Sequence, residues 1–128
     1  MPGHSAEGNP ENNPSYFSPG YCRAFAAAVP DQAAHWNRMA EDTYTMISVN
    51  QTAMQGLLSD WCTFTGAVAR GAGCGYEACR TPWRFAIDYA WTGGDAARGV
   101  LEKLHNANAG ANGDSDSCFR GGFALTSI

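Results

Sequence analysis

Gly75-Tyr76-Glu77-Ala78-Cys79-Arg80-Thr81-Pro82-Trp83-Arg84 packs an acid, two arginines and two large aromatics into ten residues at the start of a helix. Thr81-Pro82 reads as an N-cap followed by proline at the first helical position. Trp83, Ala86, Ile87 and Ala90 then recur at i, i+3, i+4 and i+7, one apolar helix face. Glu77 and Arg80 are thereby placed in the loop entering a helix N-terminus, where backbone N–H groups and the helix dipole favour negative charge. A carboxylate with an arginine three residues on, flanked by aromatic rings, suits gripping a polar, ring-shaped ligand. A capped helix whose acid and arginine form a surface ion pair accounts for the same residues.

The 128 residues suffice for one domain, with 45% hydrophobic residues and a net charge of −4. The eight lysines and arginines are scattered, without the run or stripe of a nucleic-acid footprint. No apolar stretch approaches the ~18 residues that a membrane span needs. The N-terminus has neither a basic n-region nor an apolar h-region, so no signal peptide is visible. Beside five cysteines, this leaves two readings: a cytosolic chain, or a mature segment or fragment of a secreted protein. Those cysteines are Cys22, Cys62, Cys74, Cys79 and Cys118, an odd number, so at least one thiol is unpaired within the chain. Cys62 and Cys74 flank a Gly-rich loop and are candidates to staple it. The Cys74-x4-Cys79 spacing is not a zinc pattern and no histidine follows at short range, so no metal or cofactor is expected. His4, His35 and His105 lie far apart on unlike segments and read as incidental.

In chain order, residues 1–12 form a polar, Gly-, Asn- and Pro-rich lead-in, read as extended or disordered. Ser18-Pro19 is a second N-cap and N1 pair, opening a helix that carries Tyr21, Cys22, Phe25, Ala26 and Val29. Tyr16 and Phe17 precede it, either as a staple on its first turn or, for Tyr16, as the lining of a cleft. Pro30-Asp31 caps a second helix to about residue 49, with Trp36, Met39, Ala40, Thr43, Met46 and Ile47 on one face. Residues 50–56 read as a connector and 57–66 as extended chain. Asp60-Trp61 is a second acid–aromatic pair, and Trp61 is placed either to stack on a sugar or to anchor a loop. Residues 67–75 form a long glycine-rich connection, a kind of loop that is often functional. The third helix stops at Gly93-Gly94. Asp95 caps a fourth, which turns Ala97, Val100, Leu101 and Leu104 inward. A polar loop is expected from residue 106, then an apolar segment over 118–128 that implies a further packing partner. No period-two strand run, P-loop, dinucleotide fingerprint, nucleophile elbow or H-E-x-x-H motif is present. The class is therefore all-α, built as stacked helical hairpins.

Five segments, in order over residues 13–128, resemble the C-terminal half of the catalytic domain of glycoside hydrolase family 8, the inverting endo-β-1,4-glycanases. They are Asn13-Pro14-Ser15-Tyr16-Phe17, His35-Trp36-Asn37, Gly56-Leu57-Leu58-Ser59-Asp60-Trp61, Tyr76-Glu77-Ala78-Cys79-Arg80-Thr81-Pro82-Trp83-Arg84, and Asp88-Tyr89-Ala90-Trp91 with Gly94-Asp95. The resemblance implies a partial (α/α)6 barrel over residues 13–128 and a secreted, cofactor-free endoglucanase. Its substrate would be a β-1,4-linked polysaccharide, and its partner the remainder of the barrel. It also implies that Glu77 is the general base, that Arg80 orients it, that Tyr16 approaches the water and sugar, and that Tyr76 and Trp61 contact sugar. Glu77 departs from the family's aspartate by one methylene, about 1.5 Å of reach. Inverting enzymes hold acid and base ~6.5–9.5 Å apart. The family's general acid has no matching motif in these 128 residues. Two alternatives stand beside the hydrolase: a non-catalytic carbohydrate-binding remnant of the same fold, and a structural helical domain with a stapled loop.

Overall fold

The computed structural model describes residues 3–4, 10–69 and 72–110. The class is all-α. The helices are α1 (Pro19–Ala28), α2 (Ala33–Ala53), α3 (Thr81–Thr92) and α4 (Asp95–Gly110), with short links between α1 and α2 and between α3 and α4. α1 packs on both α2 and α3, and α3 and α2 both meet α4. One core results: Met46, Ile47, Leu58, Cys62, Ala78, Phe85, Val100, Leu101 and Leu104, edged by Phe17, Tyr44 and Tyr89.

A small sheet is added to the helices. β1 (Gly3–His4), β2 (Pro10–Asn12) and β3 (Cys62–Thr63) pair antiparallel in that order. Part of the expected lead-in is thus ordered strand: Glu11 faces Thr63 and Asn12 faces Cys62. Two- and three-residue strands are too short to show a period-two pattern. The glycine-rich connection is likewise folded back where it is described. Val68 bridges Cys62, Ala69 N–H donates to the Trp61 carbonyl (3.1 Å), and Asp60 N–H donates to that of Gly73 (2.8 Å).

α4 matches expectation on its inner face, with Ala97, Val100, Leu101 and Leu104 all buried, but it runs to Gly110 instead of ending near residue 106. α3 is rotated from the expected face. Its buried residues are Thr81, Phe85 and Asp88, whereas Trp83 and Ala90 are exposed. The i, i+4, i+7 stripe is the same in kind, but two of its three members are polar, so counting apolar residues selects the neighbouring face. The proline caps also differ. Thr81 is the first residue of α3, and its buried Oγ1 makes no hydrogen bond among the described residues. Ser18 makes no side-chain cap bond, and a 3-10 turn (Pro30–Gln32) precedes α2. Gly93 does end α3 as expected, in the left-handed region (φ 64°), with its N–H donating to the Tyr89 carbonyl (2.7 Å).

α2 extends to Ala53, into the expected connector, because Asn50 and Gln51 are buried with bonding partners. Asn50 Nδ2 donates to Ser59 Oγ (2.8 Å) and the Gly66 carbonyl (3.1 Å), and Asn50 Oδ1 accepts from Ser59 N–H (3.0 Å). Gln51 Nε2 donates to the carbonyls of Gly56 and Val100, both at 3.1 Å. Two amides thereby fasten the loop after α2 to α2 and α4. On the opposite side, Asp88 is 1% exposed and accepts from Arg23 Nε (3.1 Å) and from the Tyr44 hydroxyl, joining α1, α2 and α3. Burial and the neighbouring Asp88 push the Tyr44 phenol above its ordinary range.

The cysteines divide otherwise than expected. Cys74 is disulfide-bonded, but Cys62 is a free, fully buried thiol, so the Cys62–Cys74 staple does not exist. Burial pushes the Cys62 thiol up to about 11. Cys22 and Cys79 are also free. The apolar segment expected at 118–128 lies outside the described residues.

Candidate active site

Two tight turns build the site. The first is a 3-10 turn, Pro14–Tyr16, capped by Asn13: its Oδ1 accepts from Ser15 N–H (2.9 Å), an Asx turn of the kind that Asn-Pro favours. Arg84 Nε, from α3, donates to the Ser15 carbonyl (3.0 Å) and fixes this turn against the helix. Phe17 leaves the turn toward the core, while Tyr16 is 65% exposed. The two rings of this pair are thus placed differently, one against the core and one in solvent.

The second turn spans 75–80 and ends in a 3-10 turn, Ala78–Arg80, that runs directly into α3. Its cap is Asp60. Asp60 Oδ1 accepts from the backbone N–H of Gly75 (3.1 Å) and of Ala78 (2.7 Å). Position 75 must be glycine for space, because a Cβ there would collide with the Asp60 carboxylate. Ala78, fully buried in the core, anchors the turn from beneath. Glu77 is thereby held at the surface, with its side chain partly exposed.

Four of the five expected residues come together around Glu77. Glu77 Oε2 pairs with Arg80, and the same oxygen accepts from Asn13 Nδ2 (2.8 Å). The Arg80 guanidinium carbon lies 5.8 Å from the Tyr16 ring centroid and 5.9 Å from that of Tyr76. Each such contact is worth about 0.5–1 kcal/mol at an exposed site. Tyr76 is 81% exposed, so an acid, a cation and two open aromatic faces share one patch. The fifth residue, Trp61, is 36% exposed and follows Asp60 in the chain. Among the described residues, no group of three or more His, Cys, Asp and Glu is gathered as a metal site.

Sequence reasoning missed two residues of this site. Asn13 was legible only as the first residue of the Asn13–Phe17 segment, because its amide reaches Glu77 across 64 positions. Asp60 was read as half of an acid–aromatic pair, whereas it caps the turn that carries Glu77.

The sequence pattern of Glycosyl hydrolases family 8 matches residues 2–109. This chain belongs to that family. Family 8 relatives include Endoglucanase 2 of Ruminiclostridium josui, 36% identical over 107 residues, which span 82% of this chain and 23% of the relative. Endoglucanase A of Acetivibrio thermocellus is 34% identical over 121 residues, 90% of this chain and 25% of the relative. Beta-glucanase of Niallia circulans is 34% identical over 107 residues, 73% and 26% of the two chains. The chain therefore spans about a quarter of the length of the curated relatives it matches. Family 8 membership and the packed helical hairpins agree with the partial helical barrel expected from the motifs. The glycosidase class that the motifs implied is that of these relatives.

Proposed function

We propose that this family 8 chain is part of an endo-β-1,4-glucanase, cleaving internal linkages of cellulose or a related β-glucan with inversion. Glu77 is the general base: it takes a proton from water as that water attacks the anomeric carbon. Arg80 orients the carboxylate, Tyr16 approaches the water and sugar, and Tyr76 and Trp61 contact the glucan. The observation that carries this reading is the partly exposed Glu77 carboxylate, held by Asn13 and by Arg80, whose guanidinium lies against the open rings of Tyr16 and Tyr76. The names of its relatives, endoglucanases and a beta-glucanase, support the substrate class. The general acid belongs to a part of the barrel with no motif in these residues. The disulfide at Cys74 favours a secreted protein, since such bonds persist in oxidising surroundings.

The departure from aspartate to glutamate favours the second reading, a carbohydrate-binding remnant without catalysis. A substrate with a good leaving group separates the two without the general acid. With β-cellobiosyl fluoride, fluoride leaves the anomeric carbon unassisted, water attacks the opposite face, and the base takes the water's proton. Fluoride release that is lost in Glu77→Gln, with the α-anomer as first product, is expected. Cello-oligosaccharide binding by the folded chain without fluoride release would establish the binding remnant instead.

A further inference from the structure

Glutamate has one more rotatable bond than the family's aspartate, and ordering such a long side chain costs up to about 1.5–2 kcal/mol. A glutamate base therefore needs a tether that an aspartate needs less. The structure supplies two, and both meet the same atom. Asn13 Nδ2 and Arg80 converge on Glu77 Oε2, while Glu77 Oε1 has no hydrogen-bond partner among the described residues. Asn13 is well suited to the task. It is 3% exposed, and its own orientation is set by partners of opposite kind: Oδ1 accepts from Ser15 N–H while Nδ2 donates to Glu77. A flipped amide would lose both bonds, so the donor stays aimed at the carboxylate.

We infer that Asn13 is a positioning residue for Glu77: it holds Oε2 so that Oε1 is the oxygen presented to the attacking water. This rests on the reading of Glu77 as the base. Oε2 accepts from the buried Asn13 amide and faces the Arg80 charge. Oε1 keeps its lone pairs for the proton that water gives up. This bond joins the Pro14–Tyr16 turn, which carries Tyr16, to the carboxylate of the Glu77 turn itself, so the tyrosine and the base keep a common register. A turn-forming asparagine alone would need only Oδ1.

The test follows the Glu77 carboxyl carbon and the Asn13 side-chain amide by NMR over about pH 3 to about pH 8, using the full chain. The five glutamates are assigned with Glu77→Gln. In the wild type, the Asn13 amide signals are expected to move with the Glu77 carboxyl at one shared midpoint, and that response should vanish in Glu77→Gln. Asn13→Asp keeps the acceptor for Ser15 N–H, and so the turn, but replaces the donor with an oxygen. It should raise the pH at which Glu77 takes up its proton by about one unit or more. The Asn13→Ala variant should do the same by less. Asn13 amide signals that stay silent while Glu77 titrates would overturn the proposal, and this needs no variant to fold. Fluoride release is read separately. Uncoupled titration in a chain that releases fluoride overturns the role of Asn13 alone. Coupled titration in a chain that releases none overturns the base reading and the positioning role with it.

Discussion

Gly75→Ala perturbs the turn that carries Glu77 without touching Glu77 itself. The new Cβ would collide with Asp60 Oδ2 and stand 3.1 Å from Cγ and 3.3 Å from Oδ1. Asp60 is too short to retreat while still accepting from Gly75 N–H and Ala78 N–H. Charge-assisted bonds of this kind are worth roughly 1.5–3 kcal/mol when buried. Asp60 is only partly buried, so about 1 kcal/mol each is the better figure. The reduced freedom of the unfolded chain returns about 0.5 kcal/mol. Gly75→Ala should therefore cost about 1.5 kcal/mol in urea denaturation, and Asp60→Ala about 2 kcal/mol. The double variant should be no less stable than Asp60→Ala alone, because the obstacle to the new methyl is gone. If the two costs simply add, to within about 0.5 kcal/mol, the steric account of Gly75 is wrong. Under the proposed function, the loosened turn also displaces the base, and a misplacement of about 1 Å is worth about a hundredfold in rate.

Other outcomes follow from the same geometry. Asp88→Asn turns an amide donor toward Arg23 and Tyr44 in a site that is 1% exposed, and should cost about 3 kcal/mol; a loss under about 1 kcal/mol would contradict the importance of the network. Folding favours the neutral Cys62 thiol, whose pKa rises from 9.0 to about 11. That stabilisation is complete below about pH 9 and is lost as the pH passes about 11, by at most about 3 kcal/mol. Urea midpoints measured across that range should fall less steeply in Cys62→Ala, while Tyr44 accounts for part of what remains. Tyr76→Ala should weaken cello-oligosaccharide binding about tenfold while moving stability by less than about 0.5 kcal/mol, as titration calorimetry and urea unfolding would show.

Much was legible before any coordinates. The inward stripe of α4, the glycine stop at Gly93 and the all-α class all rest on local rules that the chain obeys within one or two helical turns. The ordered motifs also gave the family and drew attention to Glu77, Arg80, Tyr16 and Tyr76. Where polar residues do the packing, the reading failed. Thr81 and Asp88 turn α3 by one face, and Asn50 and Gln51 prolong α2, because a polar side chain is buried only when a distant group satisfies it. Ser18 and Thr81 look like caps, yet neither side chain makes a cap bond: Thr81 already follows a 3-10 turn, and the Ser18 hydroxyl has no partner among the described residues.

Local sequence thus determined most of the helices and singled out the short stretches around Tyr16 and Glu77, because propensity, capping and spacing act over a few residues. Tertiary structure alone decided that Asn13 meets Glu77 and that Asp60 caps the turn bearing it. Those contacts join positions 18 to 64 apart. Nothing in the spacing of the sequence encodes them; they exist because α3 and the folded-back loop share one core, against which Phe17, beside the Asn13 turn, also packs.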